Sequence, residues 1–253
     1  VERIALISDL HGNVTAFEAV LKDIDARGIS TIHNLGDVAG KGPRGSECIR
    51  LTRERCAVTV RGNWDDFLPN VENTQGGEAM WWWRNELTPS DRQWLADLPY
   101  AHDFNLSGRW IRLFHASAES VYTRVHFHHS QDDFDQMFSN TELTGYAHDP
   151  SVVCYGDIHD SYLEVNNGRT LINAGSVGNA LDEPMASYVI LEGTPDGEAS
   201  DPFGIQFVRV PYDIEAEIAA AEKLRMPELA AYATELRTGI YRGRHEELGL
   251  LRV

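Results

Sequence analysis

The sequence predicts an α/β protein built on a largely parallel sheet, and two observations carry that expectation. Short apolar runs alternate with stretches of helical period, the pattern of consecutive strand–helix units joined by crossovers. The early runs also end in turns rich in Gly, Asp, Asn and His, and ligands of α/β sheets bind just beyond the carboxyl ends of the strands.

Taken in order, residues 4–7 are a buried strand that ends in Ser8-Asp9-Leu10-His11-Gly12-Asn13. Asp9 and His11, two residues apart, are expected to point the same way off an extended chain and to grip one cation together. Residues 15–27 place Phe17, Val20, Leu21 and Ile24 at helical spacing, with Gly28 as the stop. Residues 31–35 form a second strand and lead into the glycine-rich turn that holds Asp37 and Lys41. Residues 46–53 are helical. Residues 57–60 form a third strand, followed by Arg61-Gly62-Asn63-Trp64-Asp65-Asp66. Two helices are expected at 76–85 and 89–97, the second capped by Thr88 with Pro89 at its first position. Residues 100–106 and 110–114 pair as a hairpin around Ser107-Gly108 and end at His115.

The segment 116–149 breaks this rhythm. It is polar and histidine-bearing, with a helix near 134–138, and reads as a cap inserted over the sheet edge. Residues 152–155 form a strand that ends in Gly156-Asp157-Ile158-His159. A hairpin at 162–165 and 170–172 turns at Asn167-Gly168 and leads into 173–178. Strands at 187–191 and 205–210 and amphipathic helices at 214–224 and 227–236 follow, the last part of a C-terminal helical extension covering 213–253. The three adjacent tryptophans at 81–83 cover most of a helix circumference and read as core and cap packing.

The 253 residues suit a single domain with a sizeable core. No apolar run reaches the roughly 20 residues of a membrane span, and the strand at the very start gives no sign of a signal peptide. Three scattered cysteines form no zinc pattern and point to a reducing cytoplasm. The net charge of −17 argues against nucleic acid as a partner. An anionic substrate would need that field reversed locally, which bound divalent cations would do.

The strand ends collect Asp9, His11, Asp37, Asn63, His115, Asp157 and His159. Carboxylate, imidazole and amide donors without thiolate suit Mn²⁺, Fe²⁺ or Zn²⁺. Seven donors exceed the needs of one ion and fit two that share a carboxylate. Two such ions roughly 3.5–4 Å apart clamp a phosphoryl group. Asp9, Asp37 or His115 in isolation would read as turn caps or a core histidine; their ordered recurrence gives them the ligand reading.

That order of Asp-x-His, Gly-Asp, Gly-Asn-x-Asp, His and Gly-x-x-His resembles the calcineurin-like metallophosphoesterases, above all their small bacterial phosphodiesterase-type branch. The resemblance spans nearly the whole chain and implies a four-layer α/β/β/α sandwich of two mixed sheets. It implies that Asp9, His11, Asp37 and His159 hold one metal and that Asp37, Asn63, His115 and Asp157 hold the other. It further implies hydrolysis of a small phosphorylated substrate, a phosphoester or phosphoanhydride, by a hydroxide bridging two divalent ions. Mn²⁺ or Fe²⁺ is expected first, with Zn²⁺ or Co²⁺ as alternatives. Asn13, Lys41, Arg61 and His128 are the candidate substrate contacts, and His126 and His129 read as solvated cap.

The chain departs from the family at two positions. Asp157 stands where the family has His, which adds negative charge and favours harder ions. Trp64 stands where many relatives carry a histidine thought to protonate the leaving group, and indole cannot do that. Asp65 is the remaining candidate acid. The rival expectation is a non-catalytic interaction module, since a retromer scaffold subunit resembles the same fold.

Overall fold

The computed structural model describes residues 1–72 and 77–250. The chain opens with β1 (Glu2–Ile7), α1 (Val14–Ala26), β2 (Thr31–Asn34), α2 (Gly45–Arg55) and β3 (Val58–Thr59). A one-turn helix α3 (Asn63–Phe67) follows, then α4 (Gly77–Glu86) and α5 (Pro89–Ala96). Residue Gly76, where the third of the expected helical stretches was to begin, lies outside the described residues, as do residues 251–253 of the C-terminal extension.

The second half holds β4 (His102–Leu106), β5 (Arg109–Leu113), α6 (Gln131–Met137), β6 (Val152–Tyr155), β7 (Ser161–Asn166) and β8 (Arg169–Ala174). It closes with β9 (Ala186–Gly193), β10 (Gly204–Val210), α7 (Ile214–Lys223) and α8 (Leu229–Thr238).

Two five-stranded mixed sheets result, ordered β10-β9-β1-β2-β3 and β4-β5-β6-β8-β7. The expectation of a largely parallel sheet needs correction. Parallel pairing is confined to β1–β2–β3 and β5–β6–β8, and every other pairing is antiparallel. The hairpins at Ser107-Gly108 and Asn167-Gly168 fold back onto the edges of the parallel centre of the second sheet, and β9 and β10 add antiparallel beside β1 in the first.

Strand alternation separates the layers. In β1, Ile4 and Leu6 face the other sheet and join Val189, Leu113 and Cys154 in the core between the sheets. Ala5 and Ile7 face outward beneath α1, whose Phe17, Val20, Leu21 and Ile24 are buried. Each such buried side chain contributes about 1.5–3 kcal/mol. Asn13 caps α1 by accepting from the Ala16 amide at 2.9 Å. Trp83 is buried, while Trp81 and Trp82 pack partly buried against the same core.

The inserted segment does not sit over an edge. Phe134, Met137 and Phe138 pack onto Val153, Tyr155 and Leu171, so the insertion covers the outer face of the second sheet as the fourth layer. The C-terminal helices bind the opposite side of the molecule. Glu217 of α7 accepts from Thr15 at 2.6 Å and pairs with Arg44.

Gly36 follows β2 with φ +98°, and a Cβ there would lie 2.5 Å from the Gly62 nitrogen. Gly168 also has positive φ, but nothing lies within 4 Å of its would-be Cβ. Gly36→Ala is expected to cost about 3 kcal/mol or more, and Gly168→Ala about 1 kcal/mol. Equal shifts in their urea midpoints would refute the packing account of Gly36.

Candidate metal centre

The seven expected ligands converge where the carboxyl ends of β1, β2, β3, β5 and β6 meet, so both sheets contribute. The route differs from the expected one. Asp9 and His11 do not point alike off an extended strand, because β1 ends at Ile7 and both residues lie in the left-handed region, at φ 53° and 48°. Asp37, Asp157 and His159 share that conformation, at φ 56°, 66° and 64°. A non-glycine residue pays roughly 1–2 kcal/mol for it. Backbone bonds hold the turns in place. The Asp9 amide donates to the Gly36 carbonyl at 2.9 Å, and the His11 amide to the Asp37 carbonyl at 3.0 Å. The Gly178 amide donates to the Asp9 carbonyl at 2.9 Å.

His115 donates from Nδ1 to the Leu35 carbonyl at 2.8 Å, and His159 from Nδ1 to the Asn179 carbonyl at 2.5 Å. Each bond turns the ring so that Nε2 faces the cluster, the usual support of a metal-binding imidazole. His159 Nε2 lies 3.2 Å from both His11 Nε2 and Asp9 Oδ1, and His11 Nε2 lies 3.6 Å from Asp9 Oδ1. Asp37 Oδ2 is 3.5 Å from His11 Nε2 and 3.5 Å from His115 Nε2. His115 Nε2 also lies 3.1 Å from Asn63 Oδ1. Asp9, His11 and His159 can therefore surround one ion, and Asp9, Asp37 and His115 another.

These residues fit divalent cations. Asp9 Oδ1 is fully buried without a hydrogen-bond partner, as is His11 Nδ1. Donors about 2.1 Å from a common ion lie roughly 3–3.5 Å apart, close to the spacings around Asp9, His11 and His159. Asp9 is common to the two groups, and Asp37 Oδ2 is equidistant from His11 Nε2 and His115 Nε2.

The electrostatics show the same crowding. Burial raises Asp9, but His159 and His11 more than offset it and hold the carboxyl well below the usual range. Burial likewise raises Asp37, and His115 outweighs it downward. Burial, with the Lys41 charge, lowers His11 to about 4. Burial also lowers His115, yet Asp37, Asp9 and Asp157 together raise it well above an ordinary imidazole.

Asp157 is near the cluster, its Oδ1 3.9 Å from His115 Nε2, but both of its oxygens are engaged by Arg124. Arg124 donates from Nε to Oδ2 at 2.8 Å and from a terminal nitrogen to Oδ1 at 2.9 Å. Sequence reasoning missed Arg124. The one available signal was that it is the sole Lys or Arg in the segment 116–149.

The cluster opens into a cleft of about 720 Å³ lined by Lys41, Trp64, Arg124, Asp157 and His159 among others. Lys41 Nζ lies 3.4 Å from His159 Nε2, and burial lowers its ammonium. Trp64 meets the His11 ring edge-on, with centroids 5.7 Å apart. The remaining candidates lie elsewhere. Asn13 spends its amide on the α1 cap and on the Gly178 carbonyl, at 2.8 Å. Arg61 turns to the Ala96 carbonyl and to Asp66. His128 is exposed against Phe127, whereas its neighbours His126 and Phe127 line the cleft.

Asp65 is fully buried, and its carboxylate accepts from the amides of Asp37 at 2.7 Å, Val38 at 3.0 Å and Gly62 at 2.9 Å. Burial and the Asp37 charge push its pKa up to about 7. Its place is that of a brace between two ligand-bearing turns, and it does not line the cleft.

Comparison with known proteins bears on this site. The family model described as the calcineurin-like phosphoesterase superfamily domain matches residues 3–195. An uncharacterised protein of Methanocaldococcus jannaschii is 32% identical over 237 residues, which cover 89% of this chain and 94% of that protein. A metallophosphoesterase structure from Sphaerobacter thermophilus superposes with a TM-score of 0.72 at 28% identity, covering 95% of this chain and 100% of that one. A hypothetical protein from Pyrococcus horikoshii superposes with a TM-score of 0.76 at 15% identity over the same shares, a likeness of fold.

If Asp65 braces the turns, Asp65→Asn turns one of its two acceptor oxygens into a donor that faces buried amides and is expected to cost about 2–4 kcal/mol. The check is the urea midpoint of unfolding. An unchanged midpoint accompanied by a large loss of rate would instead make Asp65 a proton donor.

Proposed function

The chain belongs to the calcineurin-like phosphoesterase superfamily, and we propose that it hydrolyses a phosphoester or phosphoanhydride bond of a small substrate with the help of two divalent cations. The observation that carries this reading is Asp37 Oδ2, equidistant from the inward nitrogens of His11 and His115. Asp9, His11, Asp37 and His159 would hold one ion, and Asp37, Asn63, His115 and Asp157 the other. The carboxylate-rich set favours Mn²⁺ or Fe²⁺ over Zn²⁺ or Co²⁺. Bound there, the ions would neutralise charge on the phosphoryl oxygens and supply hydroxide at neutral pH.

The protein's own residues do the rest. Lys41, beside His159 at the inner end of the cleft, faces a phosphoryl oxygen and offsets the net charge of −17 locally. Trp64 walls the cleft next to His11 and excludes water there without offering a proton. The leaving group therefore departs without help from an imidazole. Aryl esters and phosphoanhydrides, polyphosphates above all, are the substrates best suited to that, because their leaving groups are already weak bases.

A second reading, a non-catalytic metal-binding module, is favoured by one observation: Arg124 occupies both oxygens of Asp157. The two readings part on assay. Purified protein loaded with Mn²⁺ is expected to cleave an aryl phosphodiester, and metal uptake without any turnover would select the module.

Asp37→Ala is expected to lose both ions, and Asn63→Ala chiefly the one beside His115. Elemental analysis after equilibration with Mn²⁺ reads this directly, and full occupancy in Asp37→Ala would sink the shared-carboxylate arrangement.

General acid catalysis is typically worth about 10²–10⁴-fold, so its absence is expected to show in esters graded by leaving-group pKa. The rate of the wild type should fall steeply as that pKa rises, and Trp64→His should flatten the dependence. A flat wild-type line, with chemistry rate-limiting, would mean another group already donates the proton.

A further inference from the structure

The family match ends at residue 195, yet the cleft does not. One of its walls comes from the C-terminal extension, through Glu228, residues 239–242 and Arg244. This wall is fixed in place. Arg242 bonds Glu235 through its guanidinium at 2.9 and 2.7 Å and reaches Glu228 at 2.6 Å. Glu235 is tied in turn to Asn179, whose carbonyl orients His159. The buried His245 donates from Nε2 to the Ile240 carbonyl at 2.7 Å and closes the loop on itself.

Against this fixed backbone, two aromatic rings on the cleft are left open. Tyr241 is 51% exposed and Phe127, from the inserted segment, 46% exposed. Gly243 keeps the Tyr241 ring seated, since a Cβ there would fall 2.6 Å from Cε1. Phe127 is braced by His128 at a centroid distance of 4.4 Å. The side chain of Arg244 is 60% exposed, and among the described residues its carboxylate partner is Glu247, at 3.8 Å. Toward the metal centre, the same cleft carries Lys41 and the half-exposed Arg124. Cations and open rings on one cleft match a ligand that carries both phosphates and a flat ring system.

We propose that the loop at residues 239–245 is the base-binding wall of a nucleotide site, with Tyr241 as the stacking face. This deepens, and rests on, the phosphoester reading above: it assigns the substrate class as a nucleotide. Phosphorylated proteins and simple sugar phosphates lack the ring that the wall is built to cover. Arg244 adds positive charge beside the ring, where the ribose-linked part of the ligand passes.

The test uses the full chain with Mn²⁺ and two ligands that differ only in the nucleoside, α,β-methylene-ADP and methylenebisphosphonate, whose P–C–P link resists hydrolysis; the nucleotide is checked for intact ester after each titration. Stacking on an aromatic side chain is worth about 1–3 kcal/mol per base, so calorimetry is expected to show the nucleotide binding ~10-fold tighter than the bisphosphonate. Tyr241→Ala should remove most of that advantage while leaving bisphosphonate affinity unchanged, and Tyr241→Phe should retain it. Equal affinities in the wild type, or equal losses for both ligands in Tyr241→Ala, would overturn the assignment. Turnover of phosphoesters with no preference for the nucleotide defeats this inference alone. Nucleotide-selective binding with no turnover of any ester defeats the hydrolase reading and leaves the wall standing.

Discussion

Three carboxylates and three imidazoles share one nearly dry pocket, and much of the architecture answers that constraint. Asp9, Asp37 and Asp157 cannot all be charged there without compensation. The protein supplies it in two ways. Facing imidazoles, turned by the carbonyls of Leu35 and Asn179, offset Asp9 and Asp37. A guanidinium from another layer offsets Asp157. Holding these groups at such spacings requires turns that an extended chain cannot make, hence the left-handed backbone at five of the seven positions. The turns after β1 and β2 pin each other through Asp9, Gly36, His11 and Asp37, and the two sheets are tied where the Gly178 amide meets the Asp9 carbonyl and the Asp157 amide meets the Asp9 carboxylate.

The replacement of the family's histidine by Asp157 takes on a different sense once Arg124 is seen. An imidazole is neutral, whereas a carboxylate alone would bring an extra negative charge. The Asp157–Arg124 pair is neutral as a unit, so the substitution keeps the charge of the site while changing the donor atom. The guanidinium also brings N–H groups to the cleft. Trp64 makes the opposite kind of change, exchanging a titratable ring for an inert one that packs against Phe67, Trp83 and His11.

Much of this was legible in the sequence, for a physical reason. Helices α1, α5 and α7 announce themselves by apolar spacing and caps, and all seven ligand candidates lie just past apolar runs, where a strand must surface. The one-turn α3 went unseen because five residues are too few to show a period. The sheet read as more parallel than it is because apolar runs do not reveal strand direction. His128 was chosen over His126 in an irregular segment, where no periodicity says which of two near neighbours faces inward. Asn13 and Arg61 have the right chemistry but spend it on a helix cap and on a carbonyl. Arg124 lies 33 residues from its partner Asp157, and no local pattern links positions so far apart.

The latches that fix the Asp9 turn also set when the site comes into being. The carbonyls of Ser8 and Asp9 are held by the amides of Val177 and Gly178, far along the chain from the first strand. Contacts between such distant positions form late, after the intervening loop has closed. During synthesis, the first two ligands emerge about 150 residues ahead of His159, and domains built N-terminal first wait for their closing partners. Through that interval the turn at Asp9 and His11 has its bonds to residues 36–38 but lacks those from Ser176, Val177 and Gly178. The candidate group of Asp9, His11 and His159 comes together only after the chain has passed residue 159, so that half of the centre belongs to the folded pair of sheets and not to the N-terminal strand–helix units.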